Sequence, residues 1–355
     1  MIRPAATSSS ASIVAALFSA LLFGASTPFA KILSIDIPPL LLAGFLYLGS
    51  GIGLWTIRLL RDRRLGAPRM PAGDWRWFLC AIVAGGLLGP VLLMYGLTQT
   101  SGSSASLLLN LEAVFTSLIA WIVFRENADR RLVLGMTLIV AGGAALVWPQ
   151  GNDAPTTVSG VLFIAAACLC WGIDNNLTRK VASADADFIA GTKGLAAGAT
   201  NLALALTLGA VVPRPAVISA AMMIGLLGYG VSLVLFVIAL RGLGSARAGA
   251  YFSTAPFLGA AIALIVLREP TPPGFWFSSL LMAAGVALHL TERHAHEHRH
   301  EALTHAHPHV HDAHHQHQHD FPWDGTEPHA HEHRHGGLTH EHPHYPDLHH
   351  RHGHS

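Results

Sequence analysis

Residues 296–309 read HEHRHEALTHAHPH, and six of the fourteen are histidine. Within them His296, Glu297 and His300 spell HExxH, the pattern with which a zinc protease helix holds its metal and its general base. The pattern recurs at His331, Glu332 and His335. A zinc hydrolase needs it on a stable helix, in a dry shaped cavity, with a third ligand. Here both copies fall inside a dense H-x-H alternation that generates HExxH by chance, so the chain is not read as an enzyme. Metal binding is a separate matter. Neutral imidazole is the commonest biological metal ligand, and alternating histidines on a flexible chain can satisfy zinc, nickel, cobalt or copper geometry. The candidate ligands are His296, His298, His300, His305, His307, His309, His331, His333, His335, His340, His342 and His344. No cofactor is expected to be required; zinc, nickel or cobalt on the tail is the expectation. The pattern favours no one metal, and proton competition weakens such sites as pH falls toward about 6.5.

All 24 histidines lie at or after His289, so the chain is made of two materials. Residues 291–355 form a polar tail in which 294–319 match 329–354 at 18 of 26 positions. Its apolar content is too low to bury a core, and disorder without a ligand is the expectation. The body before it accounts for the overall 51% hydrophobic and only 12% charged composition, against about 25% charged in a soluble domain. The net charge of +1 does not bear on nucleic acid, but the sequence holds no basic patch with interleaved aromatics, which argues against nucleic acid as a partner. Cys80, Cys168 and Cys170 sit in apolar runs with no CxxC spacing and read as small buried residues.

Three ionisable residues stand inside long apolar runs: Glu112 in NLEAVF, Asp174 in WGIDNN and Lys193 in AGTKGL. In a bilayer each requires a partner or a function. A carboxyl in a low-dielectric cavity can carry a proton near neutral pH, which suits Glu112 to proton-coupled exchange; a permanently hydrogen-bonded packing role is the alternative. Asp174 and Lys193 could pair with each other, take the two charged ends of a zwitterionic substrate, or form a gate. Asn110, Asn175 and Asn176 add amides beside these charges. Trp171 adjoins the same segment, whereas Trp55, Trp77, Trp121 and Trp148 fit an interfacial aromatic belt. Lys31 and Arg179, near span ends, read as snorkelling cations.

The elements that must position these groups are membrane helices. A bilayer core of about 30 Å needs about 20 apolar residues per helix. Ten segments qualify: 13–33, 38–58, 76–97, 103–124, 132–148, 158–178, 188–212, 217–240, 246–267 and 274–290. With the N-terminus in the cytoplasm, the inner loops and span ends collect fourteen Lys and Arg residues and the outer ones three. The positive-inside rule therefore places both termini, and the tail, in the cytoplasm. Pro28, Pro90 and Pro256 fall inside spans and should bend them.

The body also repeats itself. GASTPFAK (24–31) matches GIDNNLTR (172–179), and AVFTSLIAWIVFRE (113–126) matches PFLGAAIALIVLRE (256–269) at an offset of 143. Five spans per half is an odd number, so the halves 1–148 and 158–290 insert with opposite orientation. Inverted repeats are the signature of secondary transporters, with a site near the midplane. The fold class expected is all-α and integral to the membrane: ten helices in two inverted five-helix repeats, plus the tail.

Four stretches carry a family resemblance: LLFGASTPFAK (21–31), CLCWGIDNNLTRK (168–180), LLLNLEAVFTSLIAWIVFRE (107–126) and APFLGAAIALIVLRE (255–269). In that order they resemble the EamA type of the drug/metabolite transporter superfamily, over about 280 residues. Ala113 departs from the family pattern, standing where the second half keeps Pro256. The resemblance implies export or exchange of small metabolites, amino acids or toxic compounds without ATP. The absence of a Gly-rich phosphate loop agrees. Three functions follow as candidates. The first is a metabolite exporter in the cell membrane with a metal-binding tail. The second transports nickel, cobalt or zinc and uses the tail to collect cargo. The third is a membrane-anchored metal store. The lipid bilayer, a small-molecule substrate and a divalent metal are the expected partners; the sequence leaves a homodimer open.

Overall fold

The computed structural model describes residues 9–62, 73–125, 128–147, 156–180 and 186–290 of the body, and 295–300, 303–309, 329–335 and 338–343 of the tail. Every regular element among the body's described residues is a helix. Helix α1 spans Ser9–Leu33 and α2 Pro39–Asp62. The third column is broken: α3 (Trp75–Ala81), a π-helical stretch (Ile82–Leu88), then α4 (Gly89–Thr98). The fourth breaks between α5 (Gly102–Leu108) and α6 (Leu111–Val123), and α7 (Arg130–Ala145) is the fifth. The second half repeats this order. Helices α8 (Val158–Lys180) and α9 (Ala186–Thr207) precede α10 (Pro215–Gly225), a π stretch (Leu226–Val231) and α11 (Ser232–Leu243). Then come α12 (Ser245–Phe252), α13 (Ala255–Leu267) and α14 (Pro273–Leu290).

All ten expected segments contain helix, and among the described residues eight helices are long and apolar enough to cross a bilayer. The other two fail for different reasons. Helix α7 has only 16 residues. Helix α9 carries Lys193 and Asn201 in its apolar run, which lowers its hydropathy. Around the perimeter Ile122 (65%), Val123 (66%), Ile265 (76%) and Leu280 (69%) are exposed. Water would disfavour so much bare aliphatic surface, whereas lipid accepts it.

Packing follows the sequence repeat. The second helices of the two halves, α2 and α9, lie along each other, as do the fifth, α7 and α14. The first helix of each half packs on the third and fourth columns of the other: α1 on α11 and α13, α8 on α4 and α6. Small residues permit the approach, and a Cβ on Gly135 would come within 2.8 Å of the Gly285 carbonyl. The two π stretches sit at matching positions in the halves. So do Arg125 and Arg268, non-glycine residues at φ 56° and 51° that end α6 and α13. They are 143 residues apart, the offset of the sequence repeat.

Two expectations are modified. The break in the fourth column does not need proline: Pro256 opens α13, but α6 starts after a turn at Leu109 and Asn110 with Ala113 inside it. Asn110 donates Nδ2–H to the Leu107 carbonyl at 2.8 Å, a bond that closes that turn. In the tail, described by itself, the backbone forms strands where none were expected. Strand β1 (Ala295–His300) pairs antiparallel with β4 (Leu338–Pro343), and β2 (Leu303–His309) with β3 (His329–His335). The H-x-H alternation has period two, which is the strand period. The register sets His298 opposite His340 and His305 opposite His333. His344 lies outside the described residues.

Candidate functional site

The centre of the body is organised by one backbone carbonyl. In a π helix the carbonyl of residue i expects the N–H of residue i+5. For Gly85 that residue is Pro90, which has no N–H, while the Gly89 N–H goes to Ala84. A carbonyl left without a donor inside a membrane must be satisfied by side chains. Two supply it: Tyr47 Oη–H on α2 at 2.9 Å and Trp171 Nε1–H on α8 at 3.0 Å. The third column is thereby tied to both neighbouring helices.

Asp174, one turn along α8 from Trp171, packs directly on Gly85, and a Cβ at Gly85 would collide with its carboxylate. Lys193 of α9 donates to both carboxylate oxygens at 2.7 Å, and Thr178 Oγ1–H adds a bond at 2.9 Å. Both charges are largely buried, at 15% and 9% side-chain exposure. Of the roles open to this pair from the sequence, direct ion pairing is the arrangement present.

Glu112 is placed differently. It lies half-buried in the first turn of α6, and its Oε1 accepts from Asn175 Nδ2 at 2.9 Å. Its partner is thus an amide rather than a cation. Asn175 also donates to Thr116 Oγ1 at 3.2 Å. Asn176 points the other way and donates to the carbonyls of Thr116 and Gly172 at 3.1 and 2.8 Å, so it joins α8 to α6. Glu112, Asp174, Asn175, Asn176, Lys193 and Trp171 therefore converge at one level of the bundle. Asn110 sits nearby on the same column but spends its amide on Leu107.

Sequence reasoning missed Thr116, Tyr47 and a ring cluster. Tyr47 continues to Tyr229 of the second π stretch (centroids 5.7 Å), which meets Phe23 (6.1 Å), which meets Phe252 (5.3 Å). Aromatic residues in apolar helices carry no periodic signal that separates a site from lipid-facing surface. The spacing of Gly85 and Pro90 was the available clue to Tyr47. The Lys31 ammonium donates to the Leu97 carbonyl, near the end of α4. Of the expected belt, Trp121 is exposed, whereas Trp55 packs on Phe188 at 5.8 Å and Trp148 lies outside the described residues.

Two broken columns, unwound at matching places, flank buried charges and an aromatic wall. Together with the eight apolar spans, that is the build of an integral membrane transport protein. The chain belongs to the EamA-like transporter family, whose sequence pattern matches residues 10–148 and 158–291. It is 29% identical over 289 residues to an uncharacterized transporter of Methanothermobacter thermautotrophicus, covering 77% of this chain and 84% of that one. A probable amino-acid metabolite efflux pump of Salmonella typhimurium is 28% identical over 106 residues, 26% of this chain and 36% of that protein. One crystal structure superposes with a TM-score of 0.59 at 21% identity, over 79% of this chain and 95% of that chain, a likeness of fold alone.

Proposed function

We propose that the protein is a secondary transporter that exports or exchanges a small metabolite, with an amino acid as the first class to test, and that Glu112 is its proton-exchanging carboxyl. The observation that carries this reading is the contrast between two carboxylates inside the bundle, Asp174 buried and Glu112 half-buried. Asp174 is paired directly with Lys193, whereas Glu112 is hydrogen-bonded to an amide, that of Asn175. A carboxyl held by a neutral donor can gain and lose a proton without stranding a cation. The efflux-pump relative supports the substrate class. The halves act as inverted repeats, all ten columns cross the bilayer, and the site opens alternately to each face. The Lys and Arg distribution favours a cell membrane with both termini cytoplasmic. The chemistry is transport, not catalysis.

A metal cargo is the weaker reading. Among the described residues no three His, Cys, Asp or Glu side chains gather where they could hold an ion. The tail instead binds zinc, nickel or cobalt as a buffer or sensor. Truncation after Glu292 is expected to remove zinc binding by the purified protein and leave amino-acid efflux within about twofold of the full chain. Efflux that disappears with the tail would return metal to the position of cargo.

The decisive assay uses proteoliposomes loaded with amino acids and placed in a pH gradient. Glu112→Gln keeps the shape and the Asn175 contact but cannot release a proton. It is expected to lower gradient-driven efflux by at least about tenfold, with protein yield and melting retained. Full gradient-driven flux in that variant would remove Glu112 as the coupling group.

A further inference from the structure

At one end of the bundle α1, α4 and α13 stop, at Leu33, Thr98 and Leu267, and α5 begins at Gly102. The first amides of a helix have no acceptor within it. Ser101 Oγ takes the N–H of Ser104 at 3.2 Å. The other two, from Gly102 and Ser103, donate to Glu269 Oε1 and Oε2 at 2.6 and 2.8 Å. Glu269 lies more than 160 residues away, in the other half of the chain. The two bonds are charge-assisted and aligned with the helix dipole.

The local chain is shaped for this contact. Arg268 leaves α13 in the left-handed conformation at φ 51°, which turns Glu269 back toward α5. Residue 102 is glycine where a Cβ would lie 2.8 Å from Leu267 Cδ1 and 3.3 Å from Glu269 Oε1. Lys31, on the last turn of α1, is near enough to feel the Glu269 charge. The contact joins α13 of one half to α5 of the other, so parting the halves at this end must break both bonds.

We propose that Glu269 is the latch that holds this end of the bundle shut, and that its release admits the surroundings to the central site from this side. The proposal rests on the transporter reading, but its test needs no substrate. Cys80, Cys168 and Cys170 are first replaced by serine or alanine. Ser106→Cys, one turn inside the latch and buried, then reports opening at this end. Ala248→Cys, on α12 and buried against Ala15 and Ala16 of α1, reports at a second place in the bundle. A membrane-impermeant maleimide is applied from each side. Glu269→Gln and Glu269→Ala are expected to raise labelling of Ser106→Cys about tenfold from one side only, the shift expected when charge-assisted bonds that favour one state are lost. Labelling of Ala248→Cys should stay unchanged. Unchanged labelling at Ser106→Cys in both variants, with only a lower melting temperature, would show a permanent staple and overturn the latch. Equal increases at both reporters would show general loosening and overturn it too. The labelling result stands apart from the efflux assay, so a protein that moves no amino acid and still shows the one-sided shift loses the substrate class and keeps the latch.

Discussion

Replacing Lys193 by methionine is expected to destabilise the folded protein by about 3–5 kcal/mol, the usual effect of removing one partner of a buried ion pair. Asp174 would keep Thr178 as a donor but lose the cation that makes its charge tolerable beside Gly85. Asp174→Asn alone should be milder, because the amide still accepts from Thr178 and the stranded ammonium has a longer, more adaptable stem. The double variant Asp174→Asn with Lys193→Met should recover most of the loss. Replacing both partners by neutral groups of similar volume is often close to neutral. Melting of the purified protein in detergent reads all three. Transport then separates structure from substrate recognition. A stable double variant with full efflux assigns the pair to architecture; a stable double variant that moves nothing makes the two charges a binding site for a zwitterion. If the single and double variants melt alike, the ion pair does not bear on stability.

Much of this centre was legible in the amino-acid sequence, because bilayer physics makes charge conspicuous. Glu112, Asp174 and Lys193 stand out against apolar runs wherever they fall, and they do converge. The partnership between Asp174 and Lys193 was foreseeable from their placement toward one end of adjacent spans. What escaped is geometry that no residue type announces. The π stretches shift the register of two columns by one residue each, and that shift decides which carbonyl is left for Tyr47 and Trp171. Thr116 contributes a backbone carbonyl to Asn176 as well as a hydroxyl to Asn175, and backbone acceptors have no sequence signature. The helix count shows the same limit from the other side. Helix α9 was expected from its pattern, yet its hydropathy is lowered by Lys193, the residue that equips it for the centre. Asn110 looked like a site residue because it is polar and next to the charge; its role is to close the turn between α5 and α6.

The internal repeat makes a second strong prediction, at Gly85 and Gly228. These glycines are 143 residues apart, the offset of the repeat, and each lies in a π stretch against the first helix of the opposite half. Gly85 meets Asp174, and Gly228 meets Ser26, where a Cβ would stand 2.5 Å from the Ser26 Cβ. Both carbonyls accept from side chains, Gly85 from Tyr47 and Trp171, Gly228 from Ser232. Their surroundings differ in one respect that sets the size of the effect. At Gly228 the obstacle is a small neutral side chain. Gly228→Ala is expected to destabilise by about 1–3 kcal/mol through overpacking, and Ser26→Gly in the same chain should recover most of it. At Gly85 the obstacle is a carboxylate held by Lys193 through both of its oxygens, so displacing it strains the ion pair. Gly85→Ala should therefore combine overpacking with the loss expected of Lys193→Met, and remove transport. No single small substitution at position 174 should repair it, because removing the carboxylate strands Lys193. Melting temperatures and efflux for Gly85→Ala, Gly228→Ala and Gly228→Ala with Ser26→Gly test this asymmetry. Equal, small effects at both glycines, or no recovery from Ser26→Gly, would mean that the two third columns do not pack on the opposing first helices as closely as described.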